Sequence, residues 1–299
     1  MIYENLLDKI GFDPEIKEVI LSYQDMIGRE VEVYSKKYMC EKMPMSEVLN
    51  IIHQFKNDKL SEYTVDMIFL LNSTGYLYDQ YMKMGISEEI FINTMKDILY
   101  KVKECIKLKG ITGTFTVAWY DGFFRLNRLG LGRLQYDICP APSKKVELID
   151  YTIDENDFSL GCHIPSSGSL SHEICIKSYK MAYEMFKNRL KNGILPIKCT
   201  SWLLYPPYVK VFRKASPNIF KFISDFEISE INQQEKFYDA WRIFYAENYE
   251  NTGDLPDNTK LQREMKKYID DNGIFGAGSG VILFDGNKII TQNQYCKKK

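Results

Sequence analysis

Apolar positions recur at helical spacing through the first 110 residues and at strand spacing over much of the rest. Asp13-Pro14 reads as an N-cap with proline at the first helical position, and Ile16, Val19, Ile20, Tyr23 and Ile27 follow at helical intervals. Ser46 is placed to cap a second helix carrying Val48, Leu49, Ile52 and Phe55, and Ser61 a third running through Leu71. Ser87 opens the clearest one. Glu88 and Glu89 lie in its first turn, Phe91, Met95, Ile98, Val102 and Ile106 form its stripe, and Lys107 and Lys109 precede Gly110. Acid first, base last and glycine after is what the helix dipole and the C-cap favour.

Past Gly110 the period becomes two. Phe115, Val117 and Trp119 share a face of a predicted strand over Thr114–Tyr120, and Asp121-Gly122 is a hairpin signal. Leu134, Tyr136 and Ile138 alternate, as do Phe158, Leu160, Cys162 and Ile164. A helix is predicted over Ser171–Leu190, with Ile174, Tyr179, Ala182, Tyr183 and Phe186 inward. A strand over Ile197–Leu204, a short helix from Pro206-Pro207 to Phe212 and a strand over Ile219–Ile228 follow. Thr259 or the residues just before it start a helix through Leu261, Met265 and Tyr268. Gly273–Gly280 reads as a glycine-rich turn before a last strand, Val281–Phe284. The fold class expected is α+β: a helical N-terminal domain over 1–110, then an α/β region over 111–299. Within it, strand 158–164, loop, helix 171–190 and strand 197–204 form a βαβ crossover, right-handed by strong default.

Charge narrows the function. The 299 residues carry 39 Lys+Arg against 40 Asp+Glu, a balance that argues against a nucleic-acid partner. No apolar run approaches the roughly 20 residues of a membrane span. The start MIYENLLDKI lacks the basic and apolar regions of a signal peptide, so a cytoplasmic protein with no membrane partner is expected. Cys40, Cys105, Cys139, Cys162, Cys175, Cys199 and Cys296 are odd in number and show no disulfide framework. With His53, His163 and His172 as the three histidines, no metal is expected. Lys297, Lys298 and Lys299 read as a frayed end.

The loop Pro165-Ser166-Ser167-Gly168-Ser169-Leu170-Ser171 leaves a strand and opens a helix. Small residues let backbone N–H groups approach an anion, and a helix start adds free donors and positive partial charge. A near-neutral protein can hold a pyrophosphate this way; a Ser-capped turn that binds nothing is the other reading. Asn127-Arg128-Leu129-Gly130-Leu131-Gly132 precedes a strand-like stretch rather than a helix, and reads as a hairpin bend or bulge.

Several motifs accumulate along 125–280. They are Arg128-Leu129-Gly130 with Gly132-Arg133-Leu134-Gln135-Tyr136, and His163-Ile164-Pro165 with Gly168, Leu170, Cys175 and Ser178. Ser201-Trp202-Leu203-Leu204 with Pro206, Ser216-Pro217-Asn218-Ile219 and Thr259-Lys260-Leu261-Gln262-Arg263 follow. In this order the chain resembles a bacterial family that joins a helical N-acyltransferase N-terminal domain to a GNAT-like C-terminal domain. The resemblance implies a mixed, mostly antiparallel sheet flanked by helices. It also implies acyl-coenzyme A, or acetyl-coenzyme A, as co-substrate at a splayed pair of central strands. The pyrophosphate would then lie at Pro165, Ser166, Ser167, Gly168, Ser169 and Leu170. The superfamily loop is usually Gln/Arg-x-x-Gly-x-Gly/Ala, of which this stretch keeps the central glycine. A second reading therefore stays open, a non-catalytic module on the same fold that binds a small ligand or peptide.

Acyl transfer to a small-molecule amine or peptide acceptor needs a base for the amine proton and donors for the oxyanion. His163 is the candidate base. Its neighbours Cys162 and Ile164 take the apolar face, so His163 points to the other, and a histidine titrates near the working pH. Ser201, on the neighbouring strand, is a candidate to orient His163 or bind substrate. Tyr208, like Tyr205, is a candidate proton donor; Glu173 complements the helix dipole. Two sharper alternatives use the same stretch: a zinc site from Cys162, His163, His172 and Cys175, and a Cys175 nucleophile served by His163.

Overall fold

The computed structural model describes residues 2–138, 144–246, 249 and 251–297. Cys139, Lys298 and Lys299 lie outside the described residues. The chain divides into two compact units, Met1–Gly130 with Pro165–Ser167, and Leu131–Ile164 with Gly168–Lys299. Among the described residues no helix is long and apolar enough to cross a membrane.

The first unit is helical: α1 (Leu6–Ile10), α2 (Pro14–Cys40), α3 (Met45–Ile52), α4 (Glu62–Lys83), α5 (Glu88–Lys109) and α6 (Asp121–Phe124). Most end signals lie where the sequence places them, but Ser46 is not a cap: α3 starts at Met45 behind Pro44, and Ser46 falls inside its first turn. Pro14 opens α2, Ser61 and Ser87 accept from Thr64 and Ile90 N–H, and Gly110 is left-handed at φ +67. Ile20, Ile27, Val31 and Tyr38 of α2 are buried, and the Tyr38 ring meets Phe69 of α4 at 5.4 Å.

The predicted strand over Thr114–Tyr120 does not form. A 3₁₀ turn, Val117–Tyr120, runs into α6, so Asp121-Gly122 lies in a helix and not in a hairpin. Tyr120, Phe123 and Phe124 bury themselves at spacings of three and four, which only a helical turn allows. The Asp121 carboxylate accepts the Tyr38 hydroxyl at 2.7 Å, and the Arg128 guanidinium stacks 3.5 Å from the Trp119 ring centre. These contacts outweigh a short alternating run.

The second unit holds β2 and onward of a six-stranded sheet. Its strands are β1 (Arg128–Leu131), β2 (Leu134–Asp137), β5 (Leu160–His163), β6 (Leu195–Ser201), β7 (Glu227–Gln234) and β8 (Phe275–Phe284), in the order β1-β2-β5-β6-β8-β7. A separate pair, β3 (Val146–Glu147) and β4 (Thr152–Ile153), packs Ile153 on Val281 and Leu283. β5 and β6 run parallel, while β2 on β5, β6 on β8 and β7 on β8 are antiparallel. The α+β class and the mixed, mostly antiparallel sheet are as expected. The helix between the parallel strands is α7 (His172–Phe186), which buries Cys175, Tyr179, Ala182 and Phe186. Ile174, expected inward, faces solvent; Cys175 takes that place.

Helices α8 (Val209–Ala215), α9 (Pro217–Ser224), α10 (Ala240–Phe244) and α11 (Lys260–Asp270) complete the unit. Thr259 caps α11 in a reciprocal box with Gln262. Two expectations are corrected here. Much of 219–228 is helix α9, because Pro217 sits at its first turn and Phe222, Ile223 and Phe226 bury at intervals of one, three and four. The strand starts later, at Glu227. Gly273–Gly280 is not a turn but largely the first half of β8. Gly276 and Gly278 lie there because neighbouring chain presses on the strand: a Cβ would stand 2.5 Å from the Tyr205 ring and 2.3 Å from the Leu204 carbonyl oxygen, respectively.

Candidate active site

The two parallel strands part company. β5 pairs with β6 at Leu160↔Ile197 and Gly161↔Lys198. Beyond that point β5 pairs with β2 up to His163, and β6 with β8 up to Ser201. The sheet thus stays bonded on both flanks and opens in the middle, at the C-terminal ends of its parallel strands. Such an opening is where α/β sheets place ligands.

Alternation sorts the residues around it. Leu160, Cys162, Ile197 and Cys199 are buried on the face under α7. Gly161, His163, Lys198 and Thr200 take the other face, with Gln135 opposite His163 and Ser279 opposite Thr200. The Thr200 and Ser279 hydroxyls are 2.8 Å apart. Burial pulls the Lys198 ammonium below its ordinary pKa, with Asp157 opposing. His163 is on the polar face, as the alternation predicted, and its Nε2 lies 2.6 Å from Asp137 Oδ2. Asp137 closes β2 opposite Gly161, diagonal to His163 on the same face. Sequence reading had not singled it out, although Tyr136 and Ile138 on the apolar side imply that Asp137 lies on the polar one.

The other candidate site residues lie on β6, beyond it, and in the loop between β5 and α7. Ser201 follows Cys199 by two, so its side chain lies on the face opposite His163, and its hydroxyl accepts from Leu203 N–H at 3.2 Å. Tyr208 is buried among Trp202, Tyr205, Phe212, Phe237 and Tyr268, and burial drives its phenol far above the ordinary range. Ser167 N–H donates to Pro165 O at 2.8 Å, and Gly168 has a positive φ of 52. Arg133 donates to the Gly168 and Ser169 carbonyls at 3.4 and 3.0 Å, and Asn218 Nδ2 to Ser169 Oγ at 2.8 Å. Leu170 is buried. Ser171 occupies the N-cap of α7 with no side-chain bond to its N–H groups.

Cys162 and Cys175 are both buried. Burial pushes the Cys175 thiol up to about 12, which weighs against a thiolate nucleophile there. The neighbouring Cys199 thiol and burial raise Cys162 as well. His172 Nδ1 faces Asp225 Oδ2 at 3.6 Å rather than a thiolate. Among the described residues no three His, Cys, Asp or Glu side chains are grouped to hold a metal ion.

A mixed sheet opened between two parallel strands, with a crossover helix starting at the opening, is the architecture of GNAT-like acyltransferases. Comparison with known proteins agrees. Residues 1–126 match the N-acyltransferase N-terminal domain and residues 128–282 the GNAT-like C-terminal domain. The chain belongs to this acyltransferase family. Its fold is also that of solved acyltransferases. One, in complex with decanoyl-CoA and teicoplanin, is 15% identical with a TM-score of 0.69, over 93% of this chain and 86% of that one. Another, in complex with decanoyl-CoA, is 17% identical with a TM-score of 0.62, over 94% and 83%. No curated protein matches the sequence.

Proposed function

We propose that this protein transfers an acyl group from an acyl-coenzyme A thioester directly to an amine. The observation that carries the reading is the parting of β5 and β6 with His163 on its polar face and α7 starting beyond β5. Gly168, Ser169 and Leu170 lead into α7, whose first-turn N–H groups suit a pyrophosphate. This arrangement needs no basic excess, in keeping with the net charge of -1. His163 takes a proton from the neutral amine as its nitrogen attacks the thioester carbonyl; the C–N bond forms, the C–S bond breaks, and coenzyme A leaves as the thiolate, to which the imidazolium returns the proton. Ser201 and Tyr208 serve as framework, since one holds a turn and the other packs in a ring cluster.

The solved acyltransferases hold decanoyl-CoA, and one also holds teicoplanin. We extend this to a medium-chain rather than acetyl donor, and to an amine on a small molecule or peptide as acceptor. The test is mass-spectrometric detection of acylated product from decanoyl-CoA and an amine panel, for wild type and His163→Ala. Turnover should fall about 10²–10⁴-fold in the variant, with donor affinity kept. Equal turnover in both would remove His163 as the base.

A further inference from the structure

Two details of β2 and β5 concern the carboxylate beside His163. The first is polarity. One hydrogen bond of 2.6 Å joins His163 Nε2 and Asp137 Oδ2, and because an ionised carboxylate offers acceptor sites alone, Nε2–H is the donor when Asp137 is ionised. A neutral imidazole protonated on Nε2 carries its lone pair on Nδ1. The second is clearance. Asp137 faces Gly161 across the ladder, and a Cβ at Gly161 would stand 3.3 Å from Asp137 Cβ and 3.5 Å from Oδ2. The missing side chain leaves the carboxylate room to lie diagonally toward His163. The two side chains keep 24% and 31% of their surface, so the pair borders the open face of the sheet and is not a core ion pair.

We propose that Asp137 is the positioning residue of the site. It fixes the tautomer and the tilt of the His163 ring, so that Nδ1 is the atom that receives the amine proton, and it stabilises the imidazolium that results. This rests on the reading of His163 as the base. Gly161 is the second member of the device, because it admits the carboxylate.

The experiment compares wild type with Asp137→Asn, Asp137→Ala and His163→Ala. It uses decanoyl-CoA with an amine that the wild type acylates, or hydrolysis of decanoyl-CoA where no amine serves. The Asp137 variants should lose about 10²-fold in kcat, with KM for decanoyl-CoA within about threefold of wild type. NMR of imidazole-labelled protein should show a His163 Nε2–H protected from solvent exchange in wild type and lost in Asp137→Ala. A merely structural residue would not move that resonance while leaving KM alone. Unchanged kcat in both Asp137 variants, or the same protected proton in Asp137→Ala, would overturn the proposal. Full activity in His163→Ala would instead overturn the base reading, and the proton resonance would still show whether Asp137 holds the ring. Asp137→Asn keeps the side-chain volume, so a folded comparison exists even where Asp137→Ala is too unstable to measure.

Discussion

Replacing Ser178 by alanine should destabilise the second unit far more than the loss of one hydroxyl suggests. Ser178 lies on α7, fully buried. Its Oγ donates to the Leu131 carbonyl, accepts from Leu134 N–H at 3.2 Å and lies 3.0 Å from the Tyr136 hydroxyl. A serine hydroxyl has one hydrogen and two acceptor sites. With its hydrogen on Leu131, it accepts from both Leu134 and Tyr136, and its capacity is filled. It therefore ties α7 to both sides of the β1–β2 turn, where Gly132 adopts φ +71 beside Ser178 Cα. Alanine removes three bonds and leaves their partners in a buried place. At about 1 kcal/mol net for each bond, the loss is about 3 kcal/mol. Tyr136→Phe removes one bond and should cost about 1 kcal/mol. The double variant should then fall short of the sum, because the Ser178–Tyr136 bond is lost only once. Urea unfolding followed by circular dichroism measures all three. A Ser178→Ala loss under about 1 kcal/mol, or strict additivity with Tyr136→Phe, would refute the reasoning.

Other expectations are as direct. Gly278→Ala puts a Cβ 2.3 Å from the Leu204 carbonyl oxygen, a backbone atom. The strand must shift at a cost of about 1–3 kcal/mol, and a thermal midpoint equal to wild type would contradict the packing described. In the first unit Asp66 is buried with its Oδ1 2.7 Å from His53 Nε2, and burial pushes its carboxyl up to about 6 against the opposing pull of His53. The folded state thus holds the proton more tightly than the unfolded one. This group's contribution is present at about pH 4 and lost as pH rises toward about 6. Against Asp66→Asn as reference, the wild-type urea midpoint should decline over that window; parallel pH curves would show that Asp66 does not titrate there.

What the sequence made legible is local. Ser87, Glu88 and Gly110 mark α5 because capping and dipole are decided within a turn of the helix ends. The polar orientation of His163 was legible because alternation needs only Cys162 and Ile164 as neighbours. Contacts between distant segments were not. The Thr114–Tyr120 run alternates like a strand, yet Arg128 holds Trp119 from 9 residues away and Tyr38 holds the adjoining Asp121 from 83, in a helical turn. The glycines of β8 signal a turn until Leu204 and Tyr205 are seen lying on them. Asp137 escaped for the same reason: 26 residues separate it from His163, and only the β2–β5 register joins them. The resemblance to the acyltransferase family supplied the sheet type, which periodicity alone did not.

Calorimetric titration of the full chain with decanoyl-CoA tests the central claim most directly, with coenzyme A and decanoate as controls. Saturable binding at one site per chain, retained in His163→Ala and accompanied by a rise in thermal midpoint, is the predicted result. No heat and no thermal shift with decanoyl-CoA, or with shorter acyl donors, would contradict an acyl-coenzyme A site in this protein.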